Sequence, residues 1–391
     1  MVNYARLAVF IGAFSGPLAG NAVLAVVPIL EQEFSLTAAE VLISISFYMF
    51  PFAIFSFFSG SISDIYGRRK VVTFGFMVYA AGAVLCALSQ DAGVFYLSRA
   101  VQGFGYAFVN PVLVAILAEV VPPESRGRNM GFLAAATTAG VACGPLIAGI
   151  MSQWDWRYTF VLIAVLCVIC NAAILATYKG QGFLSSGASM RSMRPNLKRT
   201  LKDHGVILIS AIGFLNFFCY IGALSYVSDI LAKPPLDLTG GEIGAMVALT
   251  GMAGIFAAPF GGFLVERIGR ATTASLGLMV VLSSMVALYS SSSVIWYGVS
   301  LAMLGTGSQI LWASLFTLTV EFIPEIKGTV SSVFNSSRFL GYAISPLILG
   351  SVYLEQGYDA VLVITAIIIT VAIGLSILLR TKVTRTTPSG P

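Results

Sequence analysis

The sequence GSISDIYGRRK, residues 60–70, lies between two long apolar runs and decides how the chain must be arranged. Gly60 opens this stretch, Gly67 stands inside it, and three successive bases at 68–70 end it. The apolar run on either side is close to the roughly 20 residues that a helix needs to cross the hydrocarbon of a bilayer. We therefore interpret residues 60–70 as a short basic connection between two membrane-spanning helices.

The composition of the whole chain supports this interpretation. Of its 391 residues, 57% are hydrophobic and only 10% are charged, whereas soluble proteins carry about 25% charged residues. Too little polar surface remains for water to cover the protein on all sides, so we expect lipid to be its main solvent. Backbone groups in lipid must be paired inside helices or closed barrels. Because the apolar runs are long and do not alternate, we predict an all-α membrane protein.

Twelve apolar runs are long enough to be spans, and they divide into two sets of six. They cover residues 6–30, 41–63, 71–90, 93–121, 129–152, 157–178, 205–231, 241–265, 271–291, 293–320, 328–353 and 359–380. The connections are short except for residues 179–203, which are rich in Gly, Ser, Met and basic residues. We therefore predict an N-terminal six-helix bundle over 1–178, a cytoplasmic linker over 179–203 and a C-terminal six-helix bundle over 204–391.

The basic residues indicate the orientation, because cytoplasmic loops of membrane proteins carry an excess of Lys and Arg. Of the 22 Lys and Arg residues, only Arg157 and Lys233 fall in predicted outer loops, and Arg99 and Arg338 lie within spans. The remaining 18 lie on the side that is cytoplasmic when the N-terminus is inside. We predict a multi-pass protein of the plasma membrane with both termini cytoplasmic. The net charge of +5 reflects this bias and does not indicate nucleic-acid binding.

Several residue patterns occur twice, 201 or 202 residues apart. Residues Gly60, Asp64, Gly67 and Arg68 are matched by Gly262, Glu266, Gly269 and Arg270. Three further sets repeat in the same way: 123–127 with 324–328, 103–105 with 305–307, and 140–149 with 341–350. This spacing indicates duplication of a six-helix unit. Two halves of like topology predict an axis along the membrane normal, with a solute site between the halves near the midplane.

These motifs resemble those of the major facilitator superfamily, and in particular its drug/proton antiporter branch, over nearly the whole chain. Three signatures carry the resemblance: Gly60, Asp64, Gly67, Arg68 and Arg69 after the second span; Arg99, Gln102, Gly103 and Gly105 in the fourth; and Gly140, Gly144, Pro145 and Gly149 in the fifth. The chain departs from the first signature at Ile65, where a basic residue is usual, and from the third at Ala148, where glycine is common.

The resemblance implies twelve transmembrane helices in two six-helix bundles related by pseudo-twofold symmetry. It implies a multidrug-type transporter that exports small amphiphilic compounds by alternating access, driven by proton antiport. The sequence contains no nucleophile motif, metal cluster or phosphate loop, so we predict no enzyme, no catalytic residue, no metal and no cofactor besides a coupling proton. The expected partners are a small-molecule substrate and the lipid bilayer, without nucleic acid, and we expect a monomer.

The basic connection at 60–70 is a candidate conformational latch. Asp64 ends the second span among bases, where it could pair with Arg68 or with the bases at 126 and 128 and accept from a neighbouring helix N-terminus. Glu119, at the inner end of the fourth span, could join the cluster. The predicted latch residues are Gly60, Asp64, Gly67, Arg68, Glu119 and Arg126. The alternative is a solvated loop whose charges only set the topology.

The fifth span carries small residues on one side. Gly140, Gly144 and Gly149 let helices pack tightly in lipid, where apolar burial gives no drive for association. Pro145 removes a backbone hydrogen bond and permits a kink. We predict a close contact between the halves that bends during switching, and ordinary glycine-rich packing is the alternative.

Arg99 is the most informative single residue, because an arginine inside a span costs roughly 2.5–3.5 kcal/mol on insertion scales. It must face protein or a water-filled cavity, and Arg338 has the same character. We predict a substrate cavity lined by Asn21, Arg99, Gln102, Tyr106, Asn110, Asn216, Tyr220, Gln309, Trp312, Asn335 and Arg338. For Arg99 the alternative is a structural pin to backbone carbonyls, and for the Asn, Gln and Tyr residues it is interhelical hydrogen bonding.

No Asp or Glu lies in the middle of a predicted span. The nearest acids, all close to span ends, are Glu33, Asp64, Glu119, Asp229, Glu242 and Glu321. A buried carboxylate is the natural proton carrier, because burial favours its protonated form. Proton coupling would then have to use an acid near a span end or the charge of the substrate. With Arg99 and Arg338 in the predicted cavity, the second hypothesis is a transporter of an anionic metabolite, sugar or lysolipid, with or without proton coupling.

Overall fold

The computed structural model describes residues 2–178 and 190–386, which form thirteen α-helices and short connections. The helices are α1 Val2–Phe34, α2 Ala38–Tyr66, α3 Arg68–Leu88, α4 Ala92–Ala107, α5 Asn110–Val120, α6 Arg126–Met151, α7 Arg157–Thr177, α8 Met190–Thr200, α9 His204–Ala232, α10 Gly240–Ile268, α11 Arg270–Tyr289, α12 Val294–Glu321 and α13 Lys327–Thr386. The first part of the predicted linker, residues 179–189, lies outside the described residues.

Eleven helices of the described chain are long and apolar enough to cross a membrane, with α4 and α5 counted together. The last of them, Gly328–Leu379, has 52 residues, more than twice the roughly 20 that a span needs. Gly357 interrupts it with φ 80 and ψ −176. The two sides of this break correspond to the predicted spans 328–353 and 359–380. The prediction of an all-α membrane fold is confirmed.

The fourth span differs from the single helix predicted over 93–121. Pro111 has no N–H to donate to the carbonyl of Ala107, where α4 ends. The chain instead makes tighter bonds, from Phe108 N to Gly105 O at 3.1 Å and from Val109 N to Tyr106 O at 3.0 Å. The predicted cavity residues Arg99, Gln102 and Tyr106 therefore lie on α4, and a turn separates them from Asn110 on α5.

Helix starts confirm the duplicated spacing. Thr37 caps α2 in a reciprocal capping box with Glu40, and Thr239 and Glu242 make the same three contacts 202 residues later. Asp91 caps α4 at the Val94 N–H, as Ser293 caps α12 at the Trp296 N–H, again 202 residues on. Each cap satisfies a backbone donor that the helix itself leaves unpaired. The repeat therefore extends to the polar groups that begin each helix.

Glycine contacts repeat as well. A Cβ added at Gly103 would lie 1.9 Å from the carbonyl oxygen of Tyr48 on α2, and one at Gly305 would lie 1.9 Å from that of Thr250 on α10. Both pairs are 202 residues apart. The backbones of α2 and α4, and those of α10 and α12, are in direct contact only because no side chain intervenes.

The chain divides into two compact units. The first comprises residues 1–190 with 231–248, and the second comprises 191–230 with 249–391. The early part of α10 is thus grouped with the first unit. The predicted boundaries at 1–178, 179–203 and 204–391 stay a prediction.

We expect Gly103→Ala and Gly305→Ala each to lower the melting temperature of the purified protein, because overpacking a tight contact costs roughly 1–3 kcal/mol. Gly374→Ala is the control, since a Cβ at this helical position meets nothing within 4 Å. Cys86, Cys167, Cys170 and Cys219 are buried free thiols, so a thiol-reactive fluorophore can follow unfolding. If Gly103→Ala melts no lower than Gly374→Ala, the backbone contact is not limiting for stability.

Candidate functional site

The turn after α2 requires glycine. Gly67 has φ 91 and Gly269, at the equivalent position, has φ 83, a region that residues with a side chain rarely adopt. The Gly67 N–H donates to Ser63 O at 3.0 Å and closes α2. A Cβ added at Gly60 or at Gly262 would meet nothing within 4 Å, so a close approach of another helix does not explain glycine at these two positions.

Arg68 is the centre of an ion-pair cluster in the first unit. Its guanidinium lies 2.6 Å from a Glu119 carboxylate oxygen and 3.3 Å from one of Asp64, and it donates to Ala115 O at 2.8 Å. Tyr178 donates its hydroxyl proton to Glu119. Burial, and then this hydrogen bond, raise the pKa of Tyr178, so the phenol stays a donor. The cluster fixes the end of α2 against the end of α5.

The second unit contains the matching pair. Arg270 pairs with Glu321, and these residues correspond to Arg68 and Glu119 at a spacing of 202. The carbonyl of Arg270 also accepts the Ser314 hydroxyl at 2.6 Å. Of the predicted latch residues, Asp64, Arg68 and Glu119 come together, whereas Arg126 is exposed and makes no ion pair among the described residues. Sequence reasoning missed Tyr178 and the pairing of Glu321, although the offset of 202 could have found the latter.

Arg99 is enclosed inside the first unit. It is fully buried and donates to Gln102 Oε1 at 2.5 Å. Its guanidinium carbon lies 4.4 Å from the centre of the Tyr48 ring, a cation–π contact. Gln102 is also fully buried. Arg99 is thus held by a side-chain bond and a ring contact, and its contact with substrate and its pinning to backbone carbonyls both stay predictions.

Three tyrosines from neighbouring helices donate to backbone carbonyls of α1. Tyr106 donates to Ala13 O at 3.2 Å, and the hydroxyls at 79 and 48 donate to the carbonyls at 15 and 16, at 2.8 and 3.1 Å. Pro17 has no N–H for the Ala13 carbonyl, so Tyr106 supplies the missing donor. Asn21 is buried and donates to Pro17 O at 2.8 Å. For Tyr106 and Asn21, interhelical or local hydrogen bonding is the role that the contacts support.

The second unit carries leucine or threonine at the positions equivalent to Arg99, Gln102 and Tyr48. At a spacing of 202, Arg99 corresponds to Leu301 and Gln102 to Leu304, both fully buried. Tyr48 corresponds to Thr250. The second unit therefore packs leucines at the positions where the first unit buries an arginine and a glutamine. The fold itself does not require the arginine.

Arg338, on α13, lies among aromatic rings of the second unit. Its guanidinium carbon is 3.8 Å from the ring centre of Trp312 and 4.5 Å from those of Phe217 and Phe339. Sequence reasoning missed both phenylalanines. The other predicted cavity residues of this unit are buried or half-buried: Asn216, Tyr220, Gln309 and Asn335. Asn110, in the first unit, is half-buried at the start of α5.

Asp229 is a buried acid that the sequence placed only near a span end. It is 2% exposed on α9, and its Oδ2 accepts the hydroxyl proton of Tyr353 on α13. The Tyr353 ring stacks on Tyr226 with centroids 4.4 Å apart. The position of Asp229 three residues after Tyr226, on one face of α9, was the signal available for this cluster.

The small residues of α6 meet backbone on two sides. On α1, a Cβ at Gly140 would lie 2.3 Å from the carbonyl oxygen of Phe14, and a Cβ at Gly144 would lie 2.5 Å from that of Leu18. A Cβ at Gly149 would lie 2.2 Å from Gly240 O on α10, and one at Gly244 would lie 2.4 Å from Pro145 O. All of these residues belong to the first unit. The motif therefore lets the backbone of α6 pack directly against the backbones of α1 and of the start of α10.

We predict that Arg99→Leu destabilises the protein by about 1–3 kcal/mol, because Gln102 loses its buried partner. The double variant Arg99→Leu with Gln102→Leu should recover part of this loss, since it copies the pair Leu301 and Leu304. Melting temperatures of the two single variants and the double variant complete a double-mutant cycle. Strictly additive losses would contradict the coupling between Arg99 and Gln102.

Comparison with known proteins agrees with this architecture. The sequence profile of the Major Facilitator Superfamily matches residues 9–346 and 206–390. The chain is 26% identical over 387 residues to the uncharacterized MFS-type transporter YwfA of Bacillus subtilis, covering 95% of this chain and 90% of YwfA. It is 24% identical over 383 residues to the multidrug resistance protein Stp of Mycobacterium tuberculosis, covering 83% of this chain and 71% of Stp.

A solved structure has the same fold. It is that of a bacterial homologue of the human lysosomal transporter Spinster, with a TM-score of 0.77 and 16% identity, covering 100% of this chain and 99% of that one. The matching profile, the helical architecture and the duplicated ion pairs lead to one conclusion: this chain belongs to the Major Facilitator Superfamily and is a multi-pass membrane transporter.

Proposed function

We propose that this transporter exports small amphiphilic compounds across the plasma membrane by alternating access and proton antiport. The observation that carries the proposal is the α6 motif, in which Gly140, Gly144 and Gly149 each meet backbone of another helix. The name of the relative Stp, a multidrug resistance protein, supports efflux at 24% identity. The distribution of basic residues supports cytoplasmic termini, and we expect the protein to act as a monomer.

The α6 helix is the candidate element for bending. Pro145 has no N–H for the carbonyl of Val141, so α6 can bend there at low cost. The glycines on either side hold it against α1 and α10 without intervening side chains. We propose that Asp64, Arg68 and Glu119 hold the cytoplasmic end in one state and separate in another.

Asp229 is the candidate proton carrier. An ionisable residue inside a span commonly marks a proton relay, and Asp229 is almost fully buried with Tyr353 as a hydrogen-bond donor. Tyr353 can relay a proton if its oxygen takes one from water as its hydroxyl proton passes to the carboxylate, so that the phenol stays neutral. No predicted span has a carboxylate in its middle, so proton coupling would need an acid near a span end, and Asp229 is such an acid.

Arg338 favours a second candidate function, the transport of an anionic metabolite or lysolipid without proton coupling. It is a half-buried cation inside a span, and no carboxylate pairs with it among the described residues. An anionic solute could then compensate the arginine directly, and the electrochemical gradient of the solute itself rather than a proton gradient would drive its movement.

Transport into proteoliposomes with an acid interior distinguishes the two candidates. Antiport predicts that the gradient accelerates uptake of an amphiphile, because protons leave as the solute enters. Uptake of tetraphenylphosphonium, of an uncharged amphiphile and of an organic anion is compared with and without the gradient. Transport that is indifferent to the gradient for every compound would contradict proton antiport.

Asp229→Asn should abolish the stimulation by the gradient and leave gradient-independent exchange of the amphiphile. The amide keeps the shape and the bond with Tyr353 but cannot carry a proton. Asp359→Asn is the matched control, since Asp359 is an exposed acid on the same helix as Tyr353. If Asp229→Asn responds to the gradient as the wild type does, Asp229 is not the carrier.

A further inference from the structure

Arg338 is a cation whose compensation is missing from the described chain. It lies on α13, inside the span Gly328–Leu379, where an uncompensated charge is costly. Its three close contacts are the rings of Phe217, Trp312 and Phe339. Its Nε is buried without a hydrogen-bond partner, and no ion pair or hydrogen bond joins it to another described residue. Faces of aromatic rings attract a guanidinium, but they leave its N–H donors unused.

A purely structural role explains this residue poorly. At the spacing of 201 that relates the two copies of this helix, Arg338 corresponds to Thr137. The Thr137 hydroxyl donates to Leu133 O of its own helix at 2.9 Å. At this position the first copy of the helix thus has a small residue whose hydroxyl is hydrogen-bonded within its own helix. The other has an arginine whose N–H donors are not used by the described chain, so the helix does not need a cation there.

The surroundings combine apolar surface with polar groups. Trp312 stacks on Phe334 with centroids 5.6 Å apart, and Phe217 lies 6.1 Å from the Tyr342 ring. Asn335, three residues before Arg338 on the same face of α13, makes no hydrogen bond within the described residues. Aromatic rings attract a flat apolar group, and a guanidinium offers a planar fork of donors to an acceptor with two oxygens.

We infer that Arg338, with Phe217, Trp312 and Phe339, binds the anionic group of an aromatic organic anion such as a carboxylate or sulfonate. The guanidinium donates two parallel N–H bonds to the two oxygens of the anion. The rings contact the apolar body of the same molecule. This inference rests on the proposed function and names a substrate class for it. It differs from the preference for lipophilic cations that a multidrug exporter with a central carboxylate would show.

Equilibrium binding to the purified full-length protein tests this without transport or a gradient. The probes are 2-naphthoate, its uncharged isostere 2-naphthamide, and 2-naphthylmethylammonium, each measured by equilibrium dialysis. We expect naphthoate to bind at least tenfold more tightly than the amide, with the ammonium compound weakest. Failure of naphthoate to bind, or equal affinity for naphthoate and naphthamide, would overturn the inference with no variant needed.

Variants identify the residue. Arg338→Gln should remove the preference for naphthoate over naphthamide, and Arg338→Lys should keep it at reduced strength, because lysine retains the charge but not the planar fork. Arg267→Gln is the matched control: Arg267 also lies over a ring, 5.7 Å from the centre of Phe263, but at the cytoplasmic end of α10. It should leave the preference unchanged.

Two further outcomes complete the test. If Arg338→Gln does not fold, Trp312→Leu replaces it and should weaken naphthoate and naphthamide equally, since it removes ring contact and not charge. A folded Arg338→Gln protein that still prefers naphthoate tenfold overturns the inference. Binding is measured without transport, so the two proposals can fail separately. A protein that exports amphiphiles but binds naphthoate and naphthamide with equal affinity would contradict this inference and leave the proposed function unaffected.

Discussion

Helices of this protein approach one another through direct backbone contact at glycine. Lipid tails are as apolar as the helices that they surround, so burying apolar side chains gives little drive for helices to associate. Close approach of backbones supplies the missing attraction. Gly103 against Tyr48 and Gly305 against Thr250 bring α2 to α4 and α10 to α12 in the same way. The helices are then fixed closely enough for polar groups to be placed between them.

The two repeats share the residues that begin, end and connect their helices, but they differ in the charged residues inside the spans. Helix caps, turn glycines and the pairs Arg68–Glu119 and Arg270–Glu321 recur at one spacing. Arg99 and Arg338 do not recur: their counterparts are Leu301 and Thr137. Residues shared by both copies are explained by the fold. Residues present in one copy are those that the fold does not require, and they are the better candidates for handling solute and protons.

The sequence predicted what depends on local length and conformation. Apolar runs predict the spans, and Gly67 lies in the predicted connection between two of them, where its positive φ requires glycine. It did not predict which helices meet. Tyr106 donates to the carbonyl that Pro17 leaves without a donor, and Tyr353 donates to Asp229, 124 residues away in the sequence. Both contacts depend on which helices are neighbours, and a local sequence pattern does not predict this. Pro111 is the local signal for the break before Asn110, but the length of the apolar run alone predicts one continuous helix there.

The proposed proton antiport requires that a solute and a proton compete for this transporter. Release of protons when an amphiphile binds tests this competition, measured with a pH indicator in lightly buffered detergent solution. The compound is the one taken up fastest in the proteoliposome assay. The account predicts proton release on binding by the wild type and none by Asp229→Asn. Binding of the same compound by the wild type without any release would contradict it.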